Sequence, residues 1–238
     1  MRIAWISAGV SSFLAAYFSK PDRIVYIDVA NQHPDSFRFL MDCQKHLDKP
    51  IEFLRDVKHG GSVDVCIEKY RYINGVGGAP CTLHLKKRVR EEWERQFTEP
   101  LTYIWGYDAD EQHRAKRLDD NSEFNNEFPL IERNLDKAAC HALLADMGIK
   151  RPIMYDLGYP NNNCIGCVKG GKGYWNKIRQ DFPTVFNRRA KQERAIGASC
   201  IKGTFLDELK PTDGNMNSEV FPQCSFSCLG LLDGEQND

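Results

Sequence analysis

Two cysteines separated by two residues, Cys164 and Cys167, have the types and spacing best suited to chemistry in this chain. They lie within Leu157–Gly171, a stretch rich in glycine and asparagine that is too polar to form part of a core. A pair of thiols at this spacing binds one metal ion or forms one redox-active disulfide. Which other side chains the fold places near this cysteine pair decides between a metal site and a redox-active disulfide.

A second candidate is the run of small residues Ser7–Ser12, which we call the phosphate loop. The apolar segment Arg2–Ser7 predicts a buried strand and Phe13–Phe18 predicts a helix, so the run lies in a strand-to-helix turn. Backbone N–H groups and hydroxyls at a helix N-terminus, together with the helix dipole, suit a phosphate or sulfate group. An ordinary turn of small residues is the alternative, because the run has neither Walker A nor GxGxxG spacing.

The elements that would position these residues alternate along the chain. Strands are predicted at Arg23–Asp28, Ile51–Arg55 and Leu101–Gly106, and helices at Pro34–Leu47, Ser62–Tyr70 and Thr82–Phe97. Beyond Leu135 the pattern is helical, at Leu135–Met147, Tyr174–Arg179 and Pro183–Ile196. This order predicts an α/β fold, a doubly wound and mainly parallel sheet followed by a helical, cysteine-bearing C-terminal part. Ligands of such sheets bind outside the carboxyl ends of the strands.

Composition limits the class of protein. The 238 residues carry a formal net charge of -1, with 42% hydrophobic and 27% charged residues, as in soluble globular proteins, so charge gives no overall attraction to nucleic acid or anionic membranes. No apolar run reaches the length of a membrane span, and the amino terminus lacks a signal-peptide pattern. We therefore expect a cytoplasmic protein with reduced cysteines. Cysteines in helix-like apolar surroundings are expected to be core residues: Cys43, Cys66, Cys140 and Cys200.

The phosphate loop resembles the PP-loop motif Ser-Gly-Gly-x-Asp-Ser of the N-type ATP pyrophosphatases and of the phosphoadenylyl sulfate (PAPS) reductase family. Ala8 stands at one glycine position and Ser11 at the acidic position. Tyr26–Ser36 and Gly106–Ala115 resemble two further segments of the reductases, in the same order. The resemblance implies an adenine nucleotide alpha-hydrolase-like fold. The order of elements and the polar composition of the last stretch divide the chain into a nucleotide-binding α/β domain at 1–134, a helical part with the cysteine pair at 135–210 and a polar, loosely packed tail at 211–238.

The resemblance also implies the residues that hold the nucleotide, which would be ATP, adenylyl sulfate (APS) or PAPS, with Mg²⁺ as an optional companion. These residues are Ser7, Gly9, Ser11, Ser12, Asp28, Gly106, Glu111 and Arg114. Asp28 would approach the nucleotide or its metal, and Arg114 either lines the same cleft or pairs with Asp110 at the surface. Serine at position 11 removes a carboxylate that pyrophosphatases use near Mg²⁺, which counts against ATP cleavage more than against nucleotide binding.

The segment around Cys81 resembles the Cys-Cys-x-x-x-Lys segment of the iron–sulfur APS reductases when the two are aligned on Lys86. Cys81 then stands at the position of the first cysteine and Thr82 at that of the second. Cys81 precedes Cys164 by 83 residues. The resemblance implies a 4Fe–4S cluster on Cys81 and the cysteine pair. It implies a sulfate- or phosphate-contacting role in catalysis for Lys86.

Two tail cysteines, Cys224 and Cys228, leave three interpretations of the thiols open. In the first, the cluster lacks a fourth ligand at Thr82, and that ligand is Cys224, Cys228, the substrate or no group at all. We assign it to Cys228, because Cys224 matches the nucleophilic cysteine of the PAPS reductases and cannot also be a metal ligand. In the second, both tail cysteines join the cysteine pair around a structural zinc ion. In the third, the cysteine pair is a redox dithiol.

The function implied by the resemblance is sulfonucleotide reduction or sulfur transfer, with a thiol electron donor such as thioredoxin as partner. One rival is ATP-dependent sulfur modification of a nucleic acid by adenylation, in which basic residues near the cysteine pair follow the backbone and Tyr174 and Trp175 stack on bases. The alternative is a pair of amphipathic helices with Trp175 buried. The other rival is a non-catalytic nucleotide-binding module with a structural zinc.

Overall fold

A computed structural model of the protein describes residues 1–75, 78–120 and 124–219. Its strands are β1 Arg2–Ile6, β2 Arg23–Asp28, β3 Ile51–Arg55, β4 Thr102–Ile104 and β5 Asn125–Glu127. They form one sheet in the order β3-β2-β1-β4-β5. β1 is parallel to both β2 and β4, and β4 is parallel to β5. The predicted α/β class, with a mainly parallel and doubly wound sheet, is confirmed.

The helices flank and follow the strands. They are α1 Val10–Ser19, α2 Asp35–Gln44, α3 Val63–Tyr70, α4 Arg88–Glu94, α5 Gln112–Asp120, α6 Pro129–Glu132, α7 Lys137–Asp146, α8 Ile153–Asp156, α9 Lys172–Asp181 and α10 Pro183–Ile196. The helix predicted over Thr82–Phe97 differs from the expectation: its first part, Thr82–Lys87, is a π-helix, and α4 ends at Glu94. Within the described ranges, no helix combines the length and the apolar character needed to cross a membrane.

The chain forms two compact units. The first comprises Met1–Asp28, His33–Leu54 and Glu92–Asn162, and the second comprises Val29–Gln32, Arg55–Glu91 and Asn163–Asp238. The domain boundaries predicted from the sequence stay predictions.

The first unit contains the sheet and its core. Ile3 to Ile6 of β1 and Ile24 to Ile27 of β2 are buried on both faces of the sheet, as their continuous apolar runs predict for central strands. Phe13 and Leu14 of α1 pack against this sheet in the same core cluster. Because β1 is parallel to both of its neighbours, the loop that follows β1 lies at the carboxyl end of these strands.

The second unit is built largely from α3, the π-helix, α9 and α10. Trp175 of α9 is fully buried, and the buried Arg189 of α10 forms an ion pair of 2.9 Å with Asp64 of α3. Part of the predicted loose tail is ordered, because the Glu219 carboxylate accepts hydrogen bonds from the backbone N–H groups of Gly173 and Tyr174. Two acceptor contacts at the first turn of α9 satisfy donors that the helix itself leaves unpaired.

Candidate functional site

The phosphate loop is folded around the hydroxyl of Ser12. This oxygen accepts a hydrogen bond from the Ser7 backbone N–H at 3.0 Å and donates one to the Gly9 carbonyl at 2.9 Å. The Ser7 hydroxyl lies 3.2 Å from the same oxygen. The Ser12 side chain thus holds the turn closed, and its part in binding an anion would come from its backbone N–H in the first turn of α1.

Ala8 occupies the position at which the PP-loop motif has glycine. Its φ is +56°, in the left-handed region that glycine adopts without strain, so this alanine has a backbone conformation that favours glycine. The side-chain amide of Asn162 donates to the Ala8 carbonyl at 2.8 Å and to the Ser36 hydroxyl at 3.0 Å. These contacts hold the strained residue in place.

Gly106 brings the end of β4 against the phosphate loop. From β1 the chain continues to β2 and β3 toward one edge of the sheet, and from β4 it continues to β5 at the other edge. The crevice between β1 and β4 is therefore the topological switch point. A Cβ atom on Gly106 would lie 2.4 Å from the Cα of Ser12 and 2.6 Å from its backbone nitrogen. Only glycine therefore permits this approach.

Asp108, two residues beyond Gly106, was not among the predicted site residues. Its side chain is buried, with 2% of the residue exposed, and the Ser11 hydroxyl donates to its Oδ2 at 3.3 Å. Burial, and next the charge of Glu111, raise the pKa of Asp108 to about 6. A carboxylate just after the end of a central strand was a usable signal in the sequence.

Replacing Asp108 with asparagine is expected to make the stability of the protein less dependent on pH. The folded-state pKa of Asp108, about 6, exceeds its ordinary value of 3.8, so the native state binds the proton more tightly than the unfolded state. The contribution of Asp108 to wild-type stability therefore falls as the pH rises between these values, by about 3 kcal/mol, and Asp108→Asn should remove that contribution. Urea unfolding between about pH 4 and pH 7 measures it.

The exposed Asp110, which lies on the same turn, provides the control for this measurement. The charge of Asp110 is a smaller cause of the raised pKa of Asp108 than burial and Glu111, so Asp110→Asn should keep most of the wild-type pH profile. Equal profiles for Asp108→Asn and the wild type would show that Asp108 ionises normally in the folded protein.

Two further predicted residues, Glu111 and Arg114, bind each other. An Arg114 N–H donates to Glu111 Oε1, and the two side chains form an ion pair. The guanidinium also lies 5.0 Å from the ring centroid of Tyr107. Glu111 Oε2 is buried and has no hydrogen-bond partner among the described residues. Asp28 is the last residue of β2, at the same end of the sheet as the phosphate loop.

The cysteine pair belongs to the second unit and flanks a turn formed by Ile165 and Gly166. The Tyr174 hydroxyl donates to the Cys164 carbonyl at 3.1 Å and accepts from the Cys167 backbone N–H at 2.8 Å. The first and fourth residues of such a turn have Cα atoms within about 7 Å, which is near the range that a disulfide spans. The loop thus keeps the backbone of the two cysteines close together.

Removing the Tyr174 hydroxyl is expected to loosen this loop. Tyr174→Phe removes this hydroxyl from a partly buried carbonyl and a partly buried N–H, so we expect a loss of about 1–2 kcal/mol in unfolding free energy. The exposed Tyr72 offers a control, since Tyr72→Phe removes a hydroxyl at a residue that is 39% exposed. Chemical denaturation of both variants measures the difference. A Tyr174→Phe protein as stable as the control would mean that the hydroxyl does not hold the loop.

Cys81 immediately precedes the π-helix, which carries the predicted catalytic residue Lys86. Lys86 is buried, with 8% exposed, and His84 of the same segment stacks on Tyr70 with ring centroids 3.9 Å apart. Burial is the main cause that lowers the pKa of His84, to about 4, so this imidazole is neutral at pH 7. π-Helical turns cost stability relative to α-helix and are frequent at functional sites. The role of Lys86 stays a prediction.

The metal centre implied by the resemblance is not formed by the described residues alone. Across residues 1–75, 78–120 and 124–219, no group of three or more His, Cys, Asp or Glu side chains is arranged to hold a metal ion. Cys224 and Cys228 lie outside the described residues. The roles of Cys81, Cys164, Cys167 and Cys228 as metal ligands, and of Cys224 as nucleophile, stay predictions.

Burial settles the role of several other residues. Tyr174 and Trp175 are 3% and 0% exposed, so they are core residues and offer no surface on which bases could stack. The four cysteines expected in the core are buried. Burial raises the pKa of the Cys66 and Cys140 thiols to about 12, which makes them unreactive near pH 7.

Comparisons with known proteins give one structural match. No protein-family model matches the chain, and no curated protein matches it. A crystal structure of phosphoadenylyl-sulfate (PAPS) reductase from Candida auris, in complex with phosphate, matches with a TM-score of 0.49 and 12% sequence identity. The match covers 68% of this chain and 80% of that chain.

Proposed function

We propose that this chain is an enzyme of the PAPS reductase type, which binds an adenine nucleotide at the phosphate loop and carries out sulfur chemistry at its cysteines. The observation that carries the proposal is the close approach of Gly106 to Ser12 at the switch point of the sheet. It joins the loop after β1 to the loop after β4, where α/β folds bind their ligands. The nucleotide would be ATP, APS or PAPS.

The binding step follows from the loop geometry. The first turn of α1 directs backbone N–H groups and the positive end of the helix dipole toward the loop, which attracts a phosphate or sulfate group. Gly9, the N-cap residue, has extended backbone angles of -103° and 157°, and its missing side chain leaves room beside that turn. Asp28, at the end of the neighbouring strand, would contact the rest of the nucleotide.

The sulfur step is assigned to thiols. In sulfonucleotide reduction, a thiolate attacks the sulfur atom of the bound nucleotide, the bond from sulfur to the phosphate oxygen breaks, and the nucleotide leaves. A thiol of a donor such as thioredoxin then attacks the sulfur of the S-sulfonated cysteine, sulfite leaves and a disulfide between enzyme and donor forms. A second thiol of the donor reduces this disulfide, so the donor dithiol is the group that is oxidised. Cys224 is the proposed nucleophile. The cysteine pair, held by Tyr174, would act as the redox dithiol or as part of a metal centre completed by the tail.

Gly9→Asp provides the test of nucleotide binding. A Cβ atom on Gly9 would lie 3.5 Å from the Ser7 and Tyr155 hydroxyls, which is ordinary contact, and aspartate is a favourable N-cap residue. We therefore expect a folded protein of at least wild-type stability, whose new carboxylate occupies the anion position and repels the nucleotide. The isosteric and uncharged Gly9→Asn is the matched control. Calorimetric titration with ATP, APS and PAPS should show at least about tenfold weaker binding for Gly9→Asp than for Gly9→Asn.

Three outcomes distinguish the activities. Sulfite release from APS or PAPS with a thiol donor, lost in Cys224→Ser, supports the proposal. Release of AMP and pyrophosphate from ATP only when a nucleic acid is present would replace it with nucleic-acid sulfur modification. Equal affinities of the two Gly9 variants would contradict nucleotide binding at the phosphate loop.

A further inference from the structure

The contact between the Ser11 hydroxyl and the Asp108 carboxylate has a consequence for nucleotide binding. We propose that binding of an anionic nucleotide at the phosphate loop is coupled to the uptake of one proton by Asp108. This inference rests on the proposed function, because it requires a phosphate or sulfate group beside the first turn of α1. It assigns to Asp108 the role of a positioning residue that acts through Ser11.

The hydrogen bonds of the Ser11 hydroxyl explain why anion binding would favour protonation of Asp108. Ser11 is the second residue of α1, and its hydroxyl has one hydrogen, which it donates to Asp108 Oδ2 at 3.3 Å. The Cys140 thiol of α7 is also within hydrogen-bonding reach of this hydroxyl. That distance is long for a hydroxyl–carboxylate bond, so the hydroxyl is free to turn at little cost. When an anion occupies the helix N-terminus, the hydroxyl hydrogen is needed by an anion oxygen. Asp108 then keeps a hydrogen bond to Ser11 only if it becomes a donor, that is, if it is protonated.

The surroundings of Asp108 also favour proton uptake. Glu111 and Asp110, on the turn that follows β4, add negative charge, while Lys137 at the start of α7 opposes them. The Lys137 ammonium donates to the Asn161 side chain at 2.7 Å. The titratable neutral groups that face Asp108 from the other elements packed against it are the Cys140 thiol of α7 and the Tyr155 phenol of α8.

Burial makes this electrostatic coupling strong. Only 2% of Asp108 is exposed, so water screens little of the repulsion between its carboxylate and a bound phosphosulfate. Desolvation already raises the pKa of Asp108 to about 6 without ligand, and the anion raises it further. At pH 7 to 8 the unliganded carboxylate is mostly ionised, and it takes up a proton as the nucleotide binds.

The sign of the pH dependence follows from linkage. Below about pH 6 the unliganded Asp108 is already protonated, so affinity there should not change with pH. Above it, each bound nucleotide takes up a proton, and affinity should fall by about tenfold per pH unit. The fall ends where the complex itself loses the proton. Asp108→Asn, which is neutral at every pH, should bind with one affinity throughout and more tightly than the wild type at pH 8.

Calorimetric titration of the full chain with APS tests the coupling. The phosphate and sulfate groups of APS are ionised throughout this range, so the ligand contributes no titration of its own. Titrations at pH 7.5 with EDTA, in two buffers of different ionisation enthalpy, give the number of protons taken up. We expect close to one for the wild type, none for Asp108→Asn, and the wild-type value for the control Asp110→Asn.

The possible results separate this inference from the proposed function. APS binding without proton uptake by the wild type would overturn the coupling and leave nucleotide binding intact. Proton uptake that persists in Asp108→Asn would assign the proton to another group and would likewise overturn it. No binding of ATP, APS or PAPS at any pH would overturn both proposals.

Discussion

Replacing Gly106 with alanine is expected to destabilise the first unit and to abolish nucleotide binding. The new Cβ atom would lie 2.4 Å from the Cα of Ser12 and 2.6 Å from its nitrogen, distances that real Cβ atoms do not reach. The obstacle is backbone, which cannot rotate away, so the loop after β4 and the phosphate loop must separate. Overpacking of this kind costs about 1–3 kcal/mol or more. Urea denaturation and nucleotide titration measure the two effects.

Gly9→Ala is the matched control within the same loop. Its Cβ atom would meet the Ser7 and Tyr155 hydroxyls at 3.5 Å, which requires no movement, and its backbone angles are those of any extended residue. We expect its unfolding free energy to stay within about 0.5 kcal/mol of the wild type. If Gly106→Ala were as stable as Gly9→Ala and bound nucleotide equally well, the close approach of the two loops would not shape the site.

The role of Gly106 shows what the sequence can and cannot predict. Strands β2 and β3 and helix α10 were predicted at their observed bounds, because their apolar runs end at clear polar, glycine or proline signals. The phosphate loop follows from the same pattern. The packing of Gly106 against Ser12 joins residues distant in the sequence, and no local pattern encodes such a contact. It becomes visible only when the strand order makes β1 and β4 neighbours.

Other differences between the sequence-based predictions and the structure have local physical causes. Strand β5, Asn125–Glu127, was missed because its three residues are polar and lie at the edge of the sheet, where hydrophobic periodicity is weakest. The π-helix Thr82–Lys87 was predicted as α-helix, since helix patterns do not distinguish the two hydrogen-bond registers. Asp108 was missed because the resemblance directed attention to Glu111 and Arg114 in the same segment. In the structure, Arg114 donates a hydrogen bond to Glu111.

Removing the carboxylate of Glu193 is expected to destabilise the second unit strongly. Glu193 of α10 is fully buried and accepts hydrogen bonds from the backbone N–H groups of Cys200 and Leu206, at 2.6 and 2.7 Å. Glu193→Ala leaves both donors buried without a partner and leaves a cavity. Burial raises the pKa of Glu193, so alanine also relieves some desolvation of the ionised group. The lost contacts outweigh this relief, and we expect a net loss of about 3 kcal/mol.

The effect of Glu193→Ala should be local to the segment that the carboxylate holds. That segment carries Cys200, a thiol that is 9% exposed and lies within electrostatic range of Cys167. If the segment opens more often, alkylation of Cys200 in the native protein should become about a hundredfold faster, as 3 kcal/mol of local stability implies. Glu208→Ala is the control, because the exposed Glu208 only pairs with Arg194 at the surface.

Mass spectrometry of the alkylated protein shows whether the Glu193 carboxylate stabilises one segment or the whole fold. Faster labelling of Cys200 in Glu193→Ala, with Cys43 and Cys140 of the first unit still protected, would show that Glu193 anchors the segment beside the cysteine pair. Faster labelling of all three thiols would assign the loss to global unfolding. Unchanged labelling would mean that the contacts of Cys200 and Leu206 with Glu193 contribute little, and that packing alone holds the segment near Cys167.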